Sequence, residues 1–372
     1  DDGSKTIGGI QADGAGHSQT IDLNGNDLVV ESNVYIADGN QGAPAASTSD
    51  LTVTGGGNFQ LGQSGSPVDL FVGISTAAGV NDGTLRVDSG TFTGFFNTLA
   101  IARGGGDSDE AVGAVDLTGA TIGNNGVIEI NVLDIAAGNK GDTRGELTFG
   151  ASSNLSLLKI NTRLRMGFHK ESHGTLNLPT TTGVTFQVGD PVGGSRADFI
   201  YADTESISQN GATADGTLAT GDFQGTFTVH LDQWWIASGP SRGAYQRGTI
   251  DLTNATIGNG GVIDVNDLFL GANTEGTDST SSQQKGSMRG VLKFNNTLTR
   301  LTVNEQFYIG FAGADSGGPA AELDLPTAGS FVLQIGEFGA SRADFVVGGH
   351  TWNHNGNTTV GGGLVWQNNP CP

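Results

Sequence analysis

The amino-acid sequence predicts an all-β protein that folds as a single elongated parallel β-solenoid, or β-helix, of about ten coils of about 35 residues. Three observations support this prediction: an internal duplication, an apolar strand motif at an even spacing, and an unusual glycine content. The chain has 62 glycines in 372 residues, more than twice the usual ~7 %. Because these glycines follow no three-residue period, collagen is excluded.

The duplication is found when the sequence is compared with itself at an offset of 135 residues. Gly90 to Ile135 then align with Gly225 to Leu270 without a gap, and 21 of the 46 pairs are identical. We therefore divide one continuous solenoid domain into four segments. They are an N-terminal segment with the first coils (1–89), a four-coil repeat (90–224), its second copy (225–350) and a C-terminal tail (351–372).

A shorter period lies inside each copy. An alternating apolar strand that ends in alanine or glycine, called here the anchor, occurs ten times. Its third position moves from residue 36 to residue 347 in nine steps, a mean of 34.6 residues. The anchors are Val34–Ala37, Leu70–Gly73, Leu99–Ala102, Leu133–Ala136, Leu164–Gly167, Phe199–Ala202, Trp234–Ala237, Leu268–Gly271, Phe307–Gly310 and Phe345–Gly348.

After most anchors a polar loop leads to a glycine and a second alternating strand, called here the return strand. These glycines are Gly83, Gly113, Gly145, Gly174, Gly248 and Gly290. A β-sandwich gives no reason for the fixed spacing, and a propeller blade needs four strands and a blade motif, which the sequence lacks. Stacked coils also explain the low charge content, because like charges one coil apart repel.

The stretch from Leu70 to Val87 resembles the repeats of autotransporter-type passenger domains and of PEP-CTERM-type secreted β-repeat proteins. Thr20 to Val30 is similar to the opening strand pair of many extracellular right-handed β-helices. The resemblance covers roughly residues 20 to 350. It implies secretion, a location at the cell surface or in a matrix, and an adhesive or structural role.

Charge and cysteine content argue against several classes of function. Seventeen Lys+Arg against 38 Asp+Glu give a net charge of -21, so we expect no nucleic-acid binding and no membrane insertion. No apolar run reaches the ~18 residues of a membrane span and no signal segment opens the chain, so we expect a mature form. The single cysteine, Cys371, excludes an intrachain disulfide and is a candidate for an intermolecular bridge.

The second residue of each anchor is expected to point outward, because side chains alternate along a strand. Three interpretations of the resulting outward column are open: a loop or the C-terminal tail of the same chain covers it, another subunit contacts it, or sugar rings stack on it. Its large apolar members form the predicted interaction stripe of Tyr35, Phe71, Trp235, Phe269, Tyr308 and Val346.

Polar loops carry the candidate metal and modification sites. Asp107, Asp109 and Glu110 are candidate calcium ligands, since calcium takes several oxygen ligands. They fit no twelve-residue calcium loop, so a solvated acidic loop is the alternative. No other cofactor is expected. Candidate glycosylation sequons begin at Asn154, Asn254, Asn295 and Asn357.

The sequence carries no recognisable catalytic motif. Its acidic residues look scattered, and Asp116 and Asp251, which do recur, are four coils apart and too distant for a carboxylate pair. We therefore expect a non-enzymatic, extracellular structural protein whose partner is itself. Copies would join head to tail into a filament, surface layer or matrix fibre, by coil stacking or strand donation. The alternatives are a polysaccharide lyase or hydrolase and an adhesin that binds cell-surface or matrix glycans.

Overall fold

The computed structural model of the protein confirms an all-β parallel solenoid. It describes residues 3–13, 15–39, 47–75, 79–104, 109–138, 142–168, 171–202, 213–218, 223–238, 245–272, 287–310, 320–327, 330–336 and 343–347. Every pair of neighbouring strands in its two sheets is parallel, as the stacking of successive coils requires.

The first half of the chain forms sixteen strands and one short helical turn. They are β1 (Lys5–Ile7), β2 (Ile10–Ala12), β3 (Ala15–Asp22), β4 (Leu28–Val30), β5 (Val34–Asp38), β6 (Ser47–Thr54), β7 (Asn58–Leu61), β8 (Val68–Ser75), β9 (Gly79–Val87), β10 (Thr91–Gly104), β11 (Asp109–Leu117), β12 (Thr121–Ile122), α1 (Gly123–Gly126), β13 (Val127–Ala137), β14 (Asp142–Phe149), β15 (Leu157–Phe168) and β16 (Ser172–Asn177).

The second half continues the same pattern. Its elements are β17 (Thr185–Val188), β18 (Ala197–Tyr201), β19 (Thr213–Leu218), β20 (Thr226–Ile236), β21 (Tyr245–Leu252), β22 (Thr256–Ile257), α2 (Gly258–Gly261), β23 (Val262–Leu270), β24 (Ser287–Phe294), β25 (Arg300–Ile309), β26 (Ala320–Asp324), β27 (Val332–Ile335) and β28 (Asp344–Val347).

Each coil contributes strand segments to three faces. The first face contains β1, β4 and β7 and the early parts of long strands such as β10 and β13. The second face contains the anchors, and the third is a ten-stranded sheet of return strands from β3 to β26. The solenoid has about eight turns, slightly fewer than the ten coils predicted.

The small residue that ends each anchor forms the corner between the second and third faces. Nine of the ten such residues have a positive φ of 49 to 66°, and the tenth, Gly348, lies outside the described residues. Alanine occupies several of these corners, among them Ala102 and Ala136. The positive φ explains glycine at these corners. The alanine corners are fully buried, so a larger side chain has no room there.

The return-strand glycines form an in-register ladder, and their role differs from that of the corner residues. Gly113 pairs with Gly83 on one side and Gly145 on the other. A Cβ on Gly145 would lie 2.7 Å from both the Ala136 nitrogen and the Ile101 oxygen. This inward-facing position therefore needs glycine because the corner of the neighbouring strand approaches its backbone closely, and not because it needs a positive φ.

The interior is a column of stacked apolar side chains, and buried aromatic rings occur in both copies of the duplication. Trp234 is fully buried, and its ring lies 6.1 Å from that of Phe199, 6.3 Å from that of Phe227 and 6.4 Å from that of Phe294. Tyr201 also points inward, and its hydroxyl accepts a hydrogen bond from the Leu218 N–H at 2.9 Å. Burial of this column is the main source of stability.

The two short helical turns lie at equivalent positions of the duplication. In α1, Asn124 and Asn125 have positive φ, and in α2 so do Asn259 and Gly260. Each turn joins a two-residue strand to the next long strand. No helix in the described ranges has the length or apolar character needed to cross a membrane.

Candidate functional site

The second face presents a row of aromatic rings near the C-terminal end of the described stack. Trp235 pairs with Phe269, and Phe269 pairs with Tyr308, in three successive coils. Their ring centroids are 5.3 and 5.1 Å apart, and the rings of Phe269 and Tyr308 are nearly parallel at 8°. We call Trp235, Phe269 and Tyr308 the aromatic stripe. The central ring of Phe269 is only 8 % exposed, since it lies between the other two.

The other predicted members of the interaction stripe divide into two places. Val346 pairs with Tyr308 and extends the aromatic stripe by one coil. Tyr35 and Phe71 form a separate stacked pair, with ring centroids 5.4 Å apart. The predicted alternation holds from the first anchor to the eighth, whose first and third residues are buried, whereas Ile309 and Val347 are only partly buried and Phe345 is exposed. The column between the two aromatic groups contains Ala100 and Asp134, which are themselves buried.

Asp134 is held by two arginines of the next coil. It is 2 % exposed, and its two carboxylate oxygens accept hydrogen bonds from Nε and Nη2 of Arg165 at 2.8 and 2.6 Å. Nη2 of Arg163 contributes a third contact at 3.4 Å. The Arg165 guanidinium also lies over the ring of Phe168, 4.7 Å from its centroid. A buried carboxylate at this column is thus neutralised by a guanidinium that stacks on an aromatic ring.

Amide side chains line the corner where each coil turns from the first face to the second. Nδ2 of Asn97 donates to Asp69 at 3.0 Å, and Nδ2 of Asn161 donates to Asn131 at 3.0 Å. Nδ2 of Asn266 donates to Asp232 at 2.7 Å. The strand pairing shifts register here, at the step between Val265 and Asp267 for example. The amide hydrogen bonds stabilise a corner at which backbone pairing is interrupted.

Three carboxylates lie beside the aromatic stripe at this corner, and we call them the acidic row: Asp232, Asp267 and Glu305. Asp267 pairs with Gln233 in one neighbouring coil and with Gln306 in the other, so all three belong to successive coils. None of them forms an ion pair within the described part of the chain. Asp232 and Glu305 are exposed, whereas Asp267 is partly buried and its Oδ1 has no hydrogen-bond partner.

The expectation that acidic residues are scattered is wrong for this region. Asp232, Asp267 and Glu305 stand one or two residues before an anchor, so the irregular corner brings them together although their spacing in sequence is 35 and then 38 residues. The sequence signal for this row is a carboxylate one or two positions before each of these three anchors. It lies outside the four positions of the anchor pattern.

Burial, and after it the charges of Glu305 and Asp232, together raise the pKa of Asp267 from its ordinary value of 3.8 to about 6. The N–H of Gln306 donates to this carboxylate and opposes the shift. The pKa of Tyr308 is also raised, chiefly by burial and then by the charges of Asp344 and Asp267. The aromatic stripe therefore borders a region of uncompensated negative charge.

We expect Asp267→Asn to stabilise the protein at pH 7. Protonation of Asp267 favours the folded state, so this contribution is complete below pH 3.8 and is lost as the pH rises through about 6. At pH 7 the asparagine variant should gain about 1 kcal/mol, after allowance for solvent screening of a half-exposed group. Urea unfolding at pH 7 and at pH 3.5 measures the gain, which should vanish at the lower pH. The exposed Asp324→Asn is the control, and an equal gain there would contradict the prediction.

The remaining predicted site residues are placed as follows. Asp107 and the side chain of Asp109 lie outside the described residues, whereas Glu110 lies in β11 beside Asp82, whose pKa is raised chiefly by burial. Within the described ranges no three metal-binding side chains are grouped as an ion would require. The calcium site stays a prediction.

The sequons differ in how their amides are used. Asn154 exchanges two hydrogen bonds with the backbone of Ile122, at 2.6 and 2.8 Å. Nδ2 of Asn295 donates to the Ala255 carbonyl at 2.6 Å. Glycosylation at either Nδ2 would compete with these contacts between coils. Asn254 lies at an exposed position. Asn357 and Cys371 lie outside the described residues.

Comparisons with protein-family models, with curated proteins and with solved structures gave no match. The geometry of the faces, the ends and the acidic row is therefore the basis for the proposals below.

Proposed function

We propose that the protein is an extracellular structural subunit that joins head to tail into a filament, surface layer or matrix fibre. The observation that carries the proposal is the state of the two ends of the described stack. Among the described strands, β1, β2 and β3 at the first end pair only with β4, β5 and β6. At the other end, within the same described ranges, β26 pairs only with β24, and β27 and β28 only with β25.

Core side chains reach the solvent at both of these ends. Phe345 pairs with the fully buried Phe307, so it points inward, yet it is 39 % exposed. Ile10 pairs with the fully buried Val34 and is only partly buried. Parallel strand edges with unpaired N–H and C=O groups accept a further parallel strand. The last coil of one molecule and the first coil of the next both present parallel strands around an apolar interior. The two surfaces differ, so the contact is heterologous, and its repetition gives an open filament and not a closed ring.

We expect Ile10→Lys and Phe345→Lys each to stop the growth of assemblies, because each places a charge in one half of the end-to-end contact. The control is Val192→Lys, which adds the same charge at a 95 % exposed position on the flank. Sedimentation velocity and negative-stain electron microscopy measure assembly, and circular dichroism checks that the variants fold. The control should assemble like the unchanged protein.

A mixture of the two end variants gives the sharper test. Each variant keeps one intact end, so the intact end of one should bind the intact end of the other and growth should stop at dimers. The proposal would be contradicted if assemblies of either variant alone continued to grow. It would also be contradicted if the unchanged protein stayed as monodisperse single particles over a range of salt and protein concentrations. Low ionic strength should weaken assembly, because a net charge of -21 makes the subunits repel.

A carbohydrate-active role is the second candidate, and the observation that favours it is Asp267. A carboxyl group with a pKa of about 6 beside two other carboxylates is suited to donate a proton near neutral pH. Reducing-sugar and unsaturated-product assays on a panel of polysaccharides test this candidate. Activity of the unchanged protein that is lost in Asp267→Asn would support this candidate. If the unchanged protein gave no product from any polysaccharide, the candidate would be rejected.

A further inference from the structure

The aromatic stripe and the acidic row form one surface on the flank of the solenoid. Phe269 belongs to the same strand as Asp267 and lies two residues after it, so both side chains leave the same side of β23. Asp232 and Glu305 stand at the matching corner of the coils on either side. The surface thus offers stacked rings edged by three carboxylates that lack an ion-pair partner in the described ranges.

The same face shows elsewhere what such a carboxylate binds. Asp134, four coils earlier in the outward column, is neutralised by Arg165, whose guanidinium lies over the ring of Phe168. The stripe repeats two parts of that arrangement, the carboxylate and the aromatic ring. The column position that Arg165 occupies beside Asp134 is occupied by Ile200, Trp235 and Phe269 in the three coils that follow. The missing part is the guanidinium.

Charge decides among the possible occupants. A neutral sugar could stack on the rings, but it would leave the mutual repulsion of the three carboxylates unrelieved, whereas a cation removes it. The raised pKa of Asp267 is the sign of that repulsion together with burial. Residues 351–372 contain no lysine or arginine, so charge complementarity does not favour the C-terminal tail as the occupant.

We propose that the aromatic stripe and the acidic row together bind an arginine-rich segment of a partner protein. Guanidinium groups stack on the rings of Trp235 and Tyr308 and donate hydrogen bonds to the acidic row, as Arg165 does within the chain. Arginine suits the surface better than lysine, because its planar group stacks on rings and can donate two hydrogen bonds to one carboxylate. The inference is independent of head-to-tail assembly, which uses the ends of the stack.

The test measures binding of a labelled oligoarginine peptide to the full chain by fluorescence anisotropy, with oligolysine of equal length for comparison. Neutralising the acidic row in one variant, Asp232→Asn with Asp267→Asn and Glu305→Gln, should weaken oligoarginine binding about tenfold, as the loss of several partly exposed ion pairs implies. Binding should also weaken as the pH falls below 6, because Asp267 takes up a proton.

A matched variant separates this surface from the general field of an acidic protein. Asp50→Asn with Glu146→Gln and Asp324→Asn removes the same charge from strands β6, β14 and β26 of the ten-stranded sheet and should leave binding nearly unchanged. An equal loss in both variants, or no loss in either, would overturn the proposal.

The aromatic contribution has its own control. Trp235→Ser with Tyr308→Ser should weaken oligoarginine binding more than oligolysine binding, whereas Tyr35→Ser with Phe71→Ser, the separate stacked pair on the same face, should not. Binding of a neutral polysaccharide that depends on Trp235, without oligoarginine binding, would overturn the proposal and identify the surface as a sugar platform.

Discussion

Trp234→Ala is expected to lower the free energy of unfolding by about 4 kcal/mol. The ring is fully buried and contacts Phe199, Phe227 and Phe294, which belong to the coils on both sides as well as to its own. Removing it leaves a cavity that rigid stacked strands cannot collapse to fill. Because each coil is stabilised by its neighbours, the loss weakens the coupling along the stack and not only one coil. Urea unfolding followed by circular dichroism measures the change.

The adjacent tryptophan provides the control for this prediction. Trp235 lies on the outer side of the same strand, where its ring contacts Phe269. Trp235→Ala should cost about 1 kcal/mol, the order of one aromatic pair on a partly exposed surface. If the two substitutions destabilised the protein equally, the assignment of inward and outward positions along β20 would be wrong.

Gly145→Ala is expected to destabilise the protein by about 3 kcal/mol, the upper part of the range for an added group that a packed interior cannot accommodate. The new Cβ would lie 2.7 Å from two backbone atoms, the Ala136 nitrogen and the Ile101 oxygen. Backbone atoms at a tight corner cannot move aside as a flexible side chain can. The strand β14 must therefore separate from the corner, which weakens its pairing with β11 and β16.

Gly183→Ala tests the same chemical change where there is room for it. No atom lies within 4 Å of a Cβ built at Gly183, and its φ is outside the left-handed region. This variant should be neutral or slightly more stable, because alanine restricts the unfolded chain. Equal destabilisation by both substitutions would show that close approach at Gly145 is not the cause. Thermal unfolding of the two variants side by side is sufficient.

The sequence predicted those features of the fold that repeat from one coil to the next, because stacked coils place equivalent residues in contact. The small residue at the end of each anchor and the glycine of most return strands were both visible as repeats, although the structure places that glycine inside the strand and not before it. Their physical reasons were not, because the pattern alone does not separate a positive φ at Ala136 from a close backbone approach at Gly145. Only the backbone geometry distinguishes these two causes.

The candidate site was predicted in part. Trp235, Phe269 and Tyr308 were expected as neighbours, because in-register strands bring equivalent positions together. The acidic row was not expected, because it lies where the register shifts between Val265 and Asp267. At such a bulge the spacing of two residues in sequence no longer shows whether they are neighbours in space. The period of the anchors therefore does not predict that these carboxylates lie together.

The in-register pairing of equivalent positions limits how this protein can be lengthened. An insertion of one whole coil would leave every column of side chains aligned, since each coil contacts only the coils next to it. An insertion of half a coil would place anchors opposite return strands and corner residues opposite strand interiors. The 135-residue offset of the duplication equals four steps of the anchor period. A gene encoding such a rod can therefore lengthen it in whole coils, and the coil is the smallest unit that can be copied without disturbing the rest.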